Sequence, residues 1–284
     1  LSLFGSLAPP LTVDDIRYHF AIPKRYVDMG SITYMADFGW SNLPFTMEMI
    51  WTLAISLHSS EFAQIINWAI GILIILWIKK CCDAFRFNIF ETIYSIFFFY
   101  TITTVFEISQ SGLVELGSTL FFIGGLYCLL ISDPHLLNVK RIFISGLMIG
   151  FFASTKILFI AMAFMLVIIF GIQNWLNGYS LKKLFQRIFS FLIPVLTIPG
   201  VWYLKSMILT GNPVYPLYID IFGGPLLNYE MLGFLSEEQL LLTKGPIANV
   251  EKGGYFDFLL GGSKNDYALW PARLYDERWD DVIM

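Results

Sequence analysis

Long stretches without charged side chains alternate along this chain with short clusters of charged ones. A helix needs about 20 predominantly apolar residues to cross the hydrocarbon core of a bilayer. Four charge-free stretches approach that length: residues 62–78, 92–106, 116–132 and 188–204. Between Arg141 and Lys182 the only charge is Lys156. The pattern predicts one span in each stretch and, in this last interval, two spans that form a hairpin near Lys156.

Composition places the chain in the membrane class. Of its 284 residues, 56% are hydrophobic and 14% are charged, and the mean hydropathy is +0.66. Soluble domains are about 25% charged, which excludes a soluble globular enzyme and a disordered chain. The net charge of −4 offers no basic surface to nucleic acid. We therefore expect an all-α polytopic membrane protein, with membrane lipids and no nucleic acid among its partners.

The positions of lysine and arginine predict the orientation of the spans. Basic residues gather in three short segments: 79–86, 140–141 and 182–187. Because short cytoplasmic loops are rich in Lys and Arg, we place all three segments in the cytoplasm, and every predicted crossing is then consistent. Two substantial segments, residues 9–42 and residues 209–284, are left on the external face.

Residues 43–57 fit this scheme least well, because the stretch is apolar but short and contains Glu48. A segment of this length is typical of an interfacial or re-entrant helix, and we predict a juxtamembrane or tilted helix on the outer face. Because the sequence opens with Leu1 and stops where another apolar stretch begins, we also expect a longer protein. Its transmembrane region would cover residues 1–208, and residues 209–284 would form an external region that is incomplete at its C-terminal end.

Two adjacent carboxylates, Asp14 and Asp15, lie at the N-terminus of a predicted amphipathic helix in the first external segment. In one interpretation this region is structural, since Thr12 or Asp14 can cap the helix. In the other, one acid stays ionised beside its neighbour and Arg17, and removes a proton from an acceptor hydroxyl as a general base. The spacing alone leaves both interpretations open.

Three further ionisable residues are predicted at the same outer surface: Glu115, Lys156 and Lys205. Lys156 lies 15 residues beyond Arg141, or about 22 Å along a helix, and so reaches the outer boundary. Both lysines are either ordinary membrane-edge cations or partners for a lipid phosphate. Glu115 is either a solvated helix end or, together with Asp14, a candidate ligand for a divalent cation.

Two other features are less specific. The segment from Gly211 to Pro216 predicts an ordered loop, because glycine and asparagine favour turns and proline fixes the backbone. The three histidines, His19, His58 and His135, are scattered without the spacing of metal ligands, which argues against a structural zinc site.

Several short motifs follow one another in an order that resembles a known clan of enzymes. They are Asp14-Asp15-x-x-Tyr18-His19, Pro23-Lys24, Asn42-x-Pro44, Leu113-Val114-Glu115-Leu116, Ala153-Ser154-Thr155-Lys156, Trp202-Tyr203-x-Lys205 and Gly211-Asn212-Pro213-Val214-Tyr215-Pro216. Together they resemble glycosyltransferases of the GT-C fold, a clan that includes protein O-mannosyltransferases, the lipid A aminoarabinose transferase and rhizobial lipopolysaccharide galacturonosyltransferases. Each motif is short, and their shared order carries the resemblance, which extends from about Pro9 to Gly224.

This resemblance implies a GT-C-like transmembrane helix bundle with juxtamembrane helices in the first external loop, residues 9–42. It implies inverting transfer of a sugar from a polyprenyl phosphate to a glycan, lipid or protein acceptor, on the external face of the bacterial inner membrane. Asp14 would be the catalytic base with Asp15 beside it, and Lys156 and Lys205 would bind the donor phosphate. Four supporting positions follow: Tyr18, His19, Lys24 and Glu115, the last standing where relatives usually carry Asp.

The alternative is a polytopic transporter or lipid-carrier flippase. Such a protein is expected to carry polar residues in mid-span and interrupted helices in corresponding halves. The predicted spans carry no charge at mid-span, and the ionisable residues gather outside. A non-catalytic scaffold would leave the acidic external loop without a role. We therefore expect an enzyme.

Overall fold

The computed structural model describes residues 2–35, 38–131 and 138–225. Within these ranges the chain is mostly helical and contains no β-strand. Among the residues that the structure describes, three helices are long and apolar enough to cross a membrane: Ser60–Ala84, Phe159–Leu176 and Leu181–Thr210. These helices indicate a membrane protein, as the composition predicts. Residues 226–284, most of the external region predicted from the sequence, lie outside the described residues, as does His135.

The described chain contains both short helical turns and longer helices. In order they are α1 (Ser2–Gly5), a π-helical turn (Asp15–His19), α2 (Ala21–Met29), a 3-10 turn (Gly39–Asn42), α3 (Thr46–Leu57), α4 (Ser60–Ala84), α5 (Ile89–Thr101), α6 (Thr103–Ile108), α7 (Glu115–Leu126, continued by a π-helical segment Tyr127–Ile131), α8 (Val139–Ala153), α9 (Phe159–Leu176), α10 (Leu181–Thr210) and α11 (Ile219–Phe222).

The described part of each charge-free stretch lies within a helix or a pair of consecutive helical segments. The stretch 92–106 is divided between α5 and α6, because the backbone at Ile102 is extended rather than helical. The predicted hairpin is formed by α8 and α9, whose connection includes Lys156. The segment 43–57 contains the short apolar helix α3. The amphipathic helix predicted after Asp14 is divided into the π-helical turn and α2.

Side chains at the helix starts explain several of these boundaries. The Ser59 hydroxyl accepts a hydrogen bond from the backbone amide of Phe62 and so caps α4. Asn88 and Glu91 form a capping box at the start of α5, in which each side chain accepts a hydrogen bond from the other residue's backbone amide. Polar caps therefore separate helices that are otherwise almost continuously apolar.

Close packing of α8 on α10 depends on two glycines. A methyl group added at Gly146 would lie 2.5 Å from the carbonyl oxygen of Phe191, and one added at Gly150 would lie 2.5 Å from that of Pro194. These two glycines are four residues apart on one face of α8, the small-residue spacing that lets membrane helices approach closely. The later glycine of α8 contacts the later residue of α10, so the two helices run parallel.

Helix directions bring the predicted site residues to one end of the bundle. Helices α4 and α7 run parallel, since Gly71 lies near Leu116 and Trp77 lies near Gly124. Helix α8 runs antiparallel to α7, with the Phe121 ring stacked on a ring near the end of α8. We call the end formed by the first turns of α4 and α7 and the last turns of α8 and α10 the site end.

The basic segments lie at the opposite end of the bundle. The Lys80 ammonium is 6.0 Å from the centre of the Tyr127 ring, at the end of α7. Arg187, near the start of α10, donates a hydrogen bond of 2.5 Å to the Asn174 side chain near the end of α9. A shared location for the three segments agrees with the prediction from the sequence. Which side of the membrane they face stays a prediction.

Candidate functional site

Asp15 anchors the π-helical turn to the rest of the protein. Its side chain is fully buried, and both carboxylate oxygens lie 3.0 Å from the backbone nitrogen of Gly112, which donates to them. Its own amide donates to the Thr12 hydroxyl at 3.3 Å, so Thr12 is the side chain that caps this turn. Burial raises the pKa of the Asp15 carboxyl above its usual value, against the effect of the Gly112 hydrogen bond. This placement is that of a structural anchor, and the catalytic role predicted for Asp15 from the sequence stays a prediction.

The loop that holds Asp15 is itself fixed by side chains of α3 and α4. The Asn67 side-chain nitrogen lies 2.8–3.1 Å from the carbonyl oxygens of Ile108, Ser111 and Leu113. The Trp51 indole donates to the carbonyl oxygen of Gly112 at 2.9 Å. This arrangement was not predicted from the sequence. The one indication was the presence of two amide side chains, Gln64 and Asn67, in the otherwise apolar stretch 62–78, since amides in a span need hydrogen-bond partners.

Asp14 differs from Asp15 because it is exposed. It occupies the cap position of the π-helical turn, but its side chain makes no capping hydrogen bond there. Burial raises the pKa of the Tyr18 hydroxyl, and the negative charges of Asp14, Glu48 and Glu115 and a hydrogen bond with Asp14 raise it further. Tyr18 therefore stays protonated at neutral pH and can donate its hydrogen bond to the Asp14 carboxylate.

Glu115 and Lys156, both predicted for the site, form an ion pair across the start of α7 and the α8–α9 connection. The lysine nitrogen lies 2.5 Å from Oε1 of Glu115, and the two side chains are 35% and 37% exposed. Oε2 of Glu115 is buried and has no hydrogen-bond partner among the described residues. Lys156 is therefore neutralised by a carboxylate here, whereas the sequence predicted a cation free to bind phosphate.

Lys205 connects α10 to the first loop. Its nitrogen donates to the carbonyl oxygen of Ser41 at 2.5 Å and lies 3.3 Å from the Tyr26 hydroxyl. The same nitrogen is 5.6 Å from the centre of the Tyr26 ring and 5.4 Å from that of the Trp202 ring, within the range of a cation–π interaction. Burial raises the pKa of Tyr26 to about 12, so its hydroxyl remains neutral. Lys205 is half-buried and lies at the site end, as predicted.

His19 contacts an acid that the sequence did not single out as functional. Nδ1 of His19, at the end of the π-helical turn, lies 2.8 Å from Oε1 of Glu48 in the first turn of α3. The two side chains are 1% and 3% exposed. In the sequence, Glu48 is an unexpected charge in a short apolar stretch. Its contact with His19 could not be predicted, because the two residues are 29 positions apart.

Lys24 lies away from Asp14, Glu115 and the two site lysines, but it shares a groove with Asp15. It is exposed on α2 and lines an open groove of about 630 Å³ between the π-helical turn, α2 and the α3–α4 connection. Phe20, Asp28 and His58 line the same groove, whereas Asp14, Glu115 and the two site lysines do not. The structure thus does not bring Lys24 together with the predicted phosphate-binding residues.

Metal binding receives no support from the side chains that the structure describes. Among them, no group of three or more His, Cys, Asp or Glu side chains is arranged to hold a metal ion. Asp14 and Glu115, the candidate ligands for a divalent cation, both act electrostatically on Tyr18. Glu115, however, already has the Lys156 ammonium at one of its oxygens.

The predicted ordered loop after α10 is present and contacts the first loop. The buried Asn212 side chain donates to the carbonyl oxygens of Leu217 and Gly223, and its own oxygen accepts from the amide of Val214. The hydroxyl groups of Tyr215 and Tyr34 lie 3.3 Å apart. This loop therefore helps to hold the first loop against the end of α10.

Comparison of the chain with models of protein families, with curated proteins and with solved structures gave no match. The resemblance to GT-C glycosyltransferases consequently rests on the order of the sequence motifs alone. The structure contributes the placement of those motifs. It gathers Asp14, Tyr18, His19, Glu115, Lys156 and Lys205 at the site end, adds Glu48, and places Lys24 in a groove that Asp15 also lines.

Proposed function

We propose that this protein is a membrane glycosyltransferase that moves a sugar from a polyprenyl phosphate to a hydroxyl group of an envelope acceptor. One observation carries the proposal: the charge of an exposed carboxylate, Asp14, acts on the protonated phenol of Tyr18 at the same end of the bundle as Lys156 and Lys205. The surrounding helices are apolar, so a donor with a hydrocarbon tail could approach this end from within the membrane.

The proposed chemistry assigns one task to each kind of side chain. The oxygen of the acceptor hydroxyl forms a bond to the anomeric carbon, and Asp14 accepts the proton that this hydroxyl loses. The bond between that carbon and the phosphate oxygen breaks, and its electron pair leaves with the phosphate. Lys156 and Lys205 offset the negative charge on the departing phosphate. For Lys156, this requires that the phosphate compete with Glu115 for the ammonium group.

No specific feature of the described residues favours a transporter or a lipid flippase. The polar side chains within α4, Gln64 and Asn67, are occupied by backbone carbonyls of the 108–113 loop. They therefore support the site end and do not line a path through the bundle.

The transferase proposal predicts a defined change in the cell envelope when the gene is deleted. We expect one glycan or glycolipid to lose a single sugar residue, because a transferase adds one sugar to one class of acceptor. Mass spectrometry of envelope glycans from deleted and complemented strains would identify the sugar and the acceptor together. The polyprenyl-phosphate sugar should accumulate in the deletion strain. An unchanged glycan profile and lipid pool would contradict the proposal.

The proposed orientation predicts opposite labelling of the two ends of the bundle. The site end should face the periplasm, because the basic segments lie at the other end and short basic loops stay in the cytoplasm. In a variant whose three cysteines are replaced by alanine, Met29→Cys should react with a membrane-impermeant maleimide in intact spheroplasts, and Lys183→Cys should react only after lysis. Both residues are exposed. The reverse pattern would overturn the periplasmic location of the site.

A further inference from the structure

Glu48 and His19 form a buried pair whose hydrogen-bonding capacity is only half used. Because an ionised carboxylate carries no hydrogen, Nδ1 of His19 is the donor in their 2.8 Å contact. The other polar atoms of the two side chains, Nε2 of His19 and Oε2 of Glu48, are buried and have no hydrogen-bond partner among the described residues. Burying polar atoms without partners destabilises a fold.

Stability of the fold does not account for this pair. Replacing two buried, hydrogen-bonded polar side chains by well-packed apolar ones is often neutral or stabilising. The neighbours of Glu48 on α3, Met47 and Trp51, are fully buried hydrophobic residues, so an apolar residue at position 48 would join an existing core. The presence of a carboxylate and an imidazole therefore calls for a role in the site itself.

Tyr18 connects the pair to the proposed base. The rings of Tyr18 and His19 have centroids 4.1 Å apart and planes tilted by 42°. The Glu48 carboxylate is one of three negative charges that act on the Tyr18 hydroxyl, and Asp14 is another. Direct contacts thus join Glu48 to His19 and His19 to Tyr18, and the Tyr18 hydroxyl lies within reach of the Asp14 charge.

We propose that Glu48 and His19 are positioning residues for the sugar transfer proposed above. They hold the Tyr18 ring so that its hydroxyl donates to one oxygen of Asp14 and leaves the other oxygen free to accept the proton of the acceptor. This inference rests on the proposed function. The charged and titratable groups around Tyr18 are Asp14 on the π-helical turn, Glu48 on α3 and Glu115 on α7, with Lys156 paired to Glu115.

Two substitutions of Glu48 separate positioning from packing. The variant Glu48→Ala removes the acceptor for His19. We expect kcat for transfer to fall about 10- to 100-fold, in line with the sensitivity of catalysis to small misplacements, whereas KM for the donor should change less than about 3-fold, since the two lysines are untouched. Transfer would be measured in membranes that contain the full-length protein and radiolabelled polyprenyl-phosphate sugar.

The variant Glu48→Gln keeps an oxygen that accepts from His19 but removes the negative charge. We expect kcat to stay within about 3-fold of the parent, because the hydrogen bond that holds the His19 ring is kept. Glu107→Gln is the matched control for the loss of a carboxylate charge. Glu107 is an exposed carboxylate in α6, and its substitution should leave kcat unchanged.

Asp14→Asn, assayed in parallel, distinguishes failure of this inference from failure of the proposed function. If Asp14→Asn is inactive while Glu48→Ala retains the parental kcat, or Glu48→Gln loses as much kcat as Glu48→Ala, the positioning role is wrong. If Asp14→Asn is fully active, the proposed function loses its catalytic base, whatever the Glu48 variants show. Should Glu48→Ala not yield folded protein, Tyr18→Phe decides the outcome, because a parental kcat without the Tyr18 hydroxyl would contradict positioning of Asp14 through Tyr18.

Discussion

Replacing Asp14 by asparagine is expected to reduce sugar transfer by about 100- to 10,000-fold, the usual contribution of a general base. Asparagine has nearly the same shape and can still accept a hydrogen bond from Tyr18, but it cannot take the proton of the acceptor. Because Asp14 is exposed and makes no capping hydrogen bond, expression and membrane insertion should be unchanged. The measurements are transfer from radiolabelled polyprenyl-phosphate sugar and restoration of the envelope glycan in a deletion strain.

The adjacent residue supplies the matched control. In Asp15→Asn, the side-chain oxygen can still accept the hydrogen bond from the Gly112 amide, and no buried charge is left. We expect activity within about 10-fold of the parent. Full activity of Asp14→Asn would remove Asp14 from the role of base. Loss of activity in Asp15→Asn alone would show that the wrong member of the acidic pair was chosen.

The helical elements could be predicted from the sequence because the membrane imposes a simple constraint. Charged side chains at the bilayer centre are costly, so Glu61 and Lys79 bracket the charge-free stretch inside α4, and Lys182 and Lys205 lie near the two ends of α10. Shorter elements could not be predicted as closely. The sequence around Asp14 has the period of an α-helix, but the residues that follow Asp14 form a π-helical turn. In this turn the Asp15 carboxylate accepts a hydrogen bond from the Gly112 amide, a distant contact that the local sequence does not predict.

The candidate site was only partly predictable for a related reason. The positions of the charges along the chain predict that Glu115, Lys156 and Lys205 lie at one end of the bundle, and the structure places each near a helix terminus at that end. These positions could not show that Glu115 neutralises Lys156. They also gave no reason to connect Glu48 with His19, since their contact depends on how α3 packs against the π-helical turn. Pair contacts depend on tertiary packing, which periodicity and charge do not encode.

Alanine at Gly146 or at Gly150 is expected to destabilise the bundle by about 1–3 kcal/mol for each substitution, the usual cost of overpacking a core. The added methyl group would lie 2.5 Å from a backbone carbonyl oxygen of α10, at Phe191 or at Pro194. A flexible side chain could turn aside, but a helix backbone cannot, so α8 and α10 must separate. The measurements are the thermal unfolding midpoint in detergent and the monodisperse fraction on size-exclusion chromatography, and the double variant should show the larger loss.

Gly200→Ala in α10 is the matched control, because nothing outside its own helix backbone lies within 4 Å of a methyl group added there. Alanine favours helix over glycine by about 1 kcal/mol, so this variant should be as stable as the parent or slightly more stable. The contrast separates close helix approach from the general effect of glycine on a helix. If Gly146→Ala and Gly200→Ala raised the midpoint equally, α8 and α10 would not pack through these glycines. The end of α10, with Lys205 and Trp202, would then lose its fixed position relative to Glu115 and Lys156.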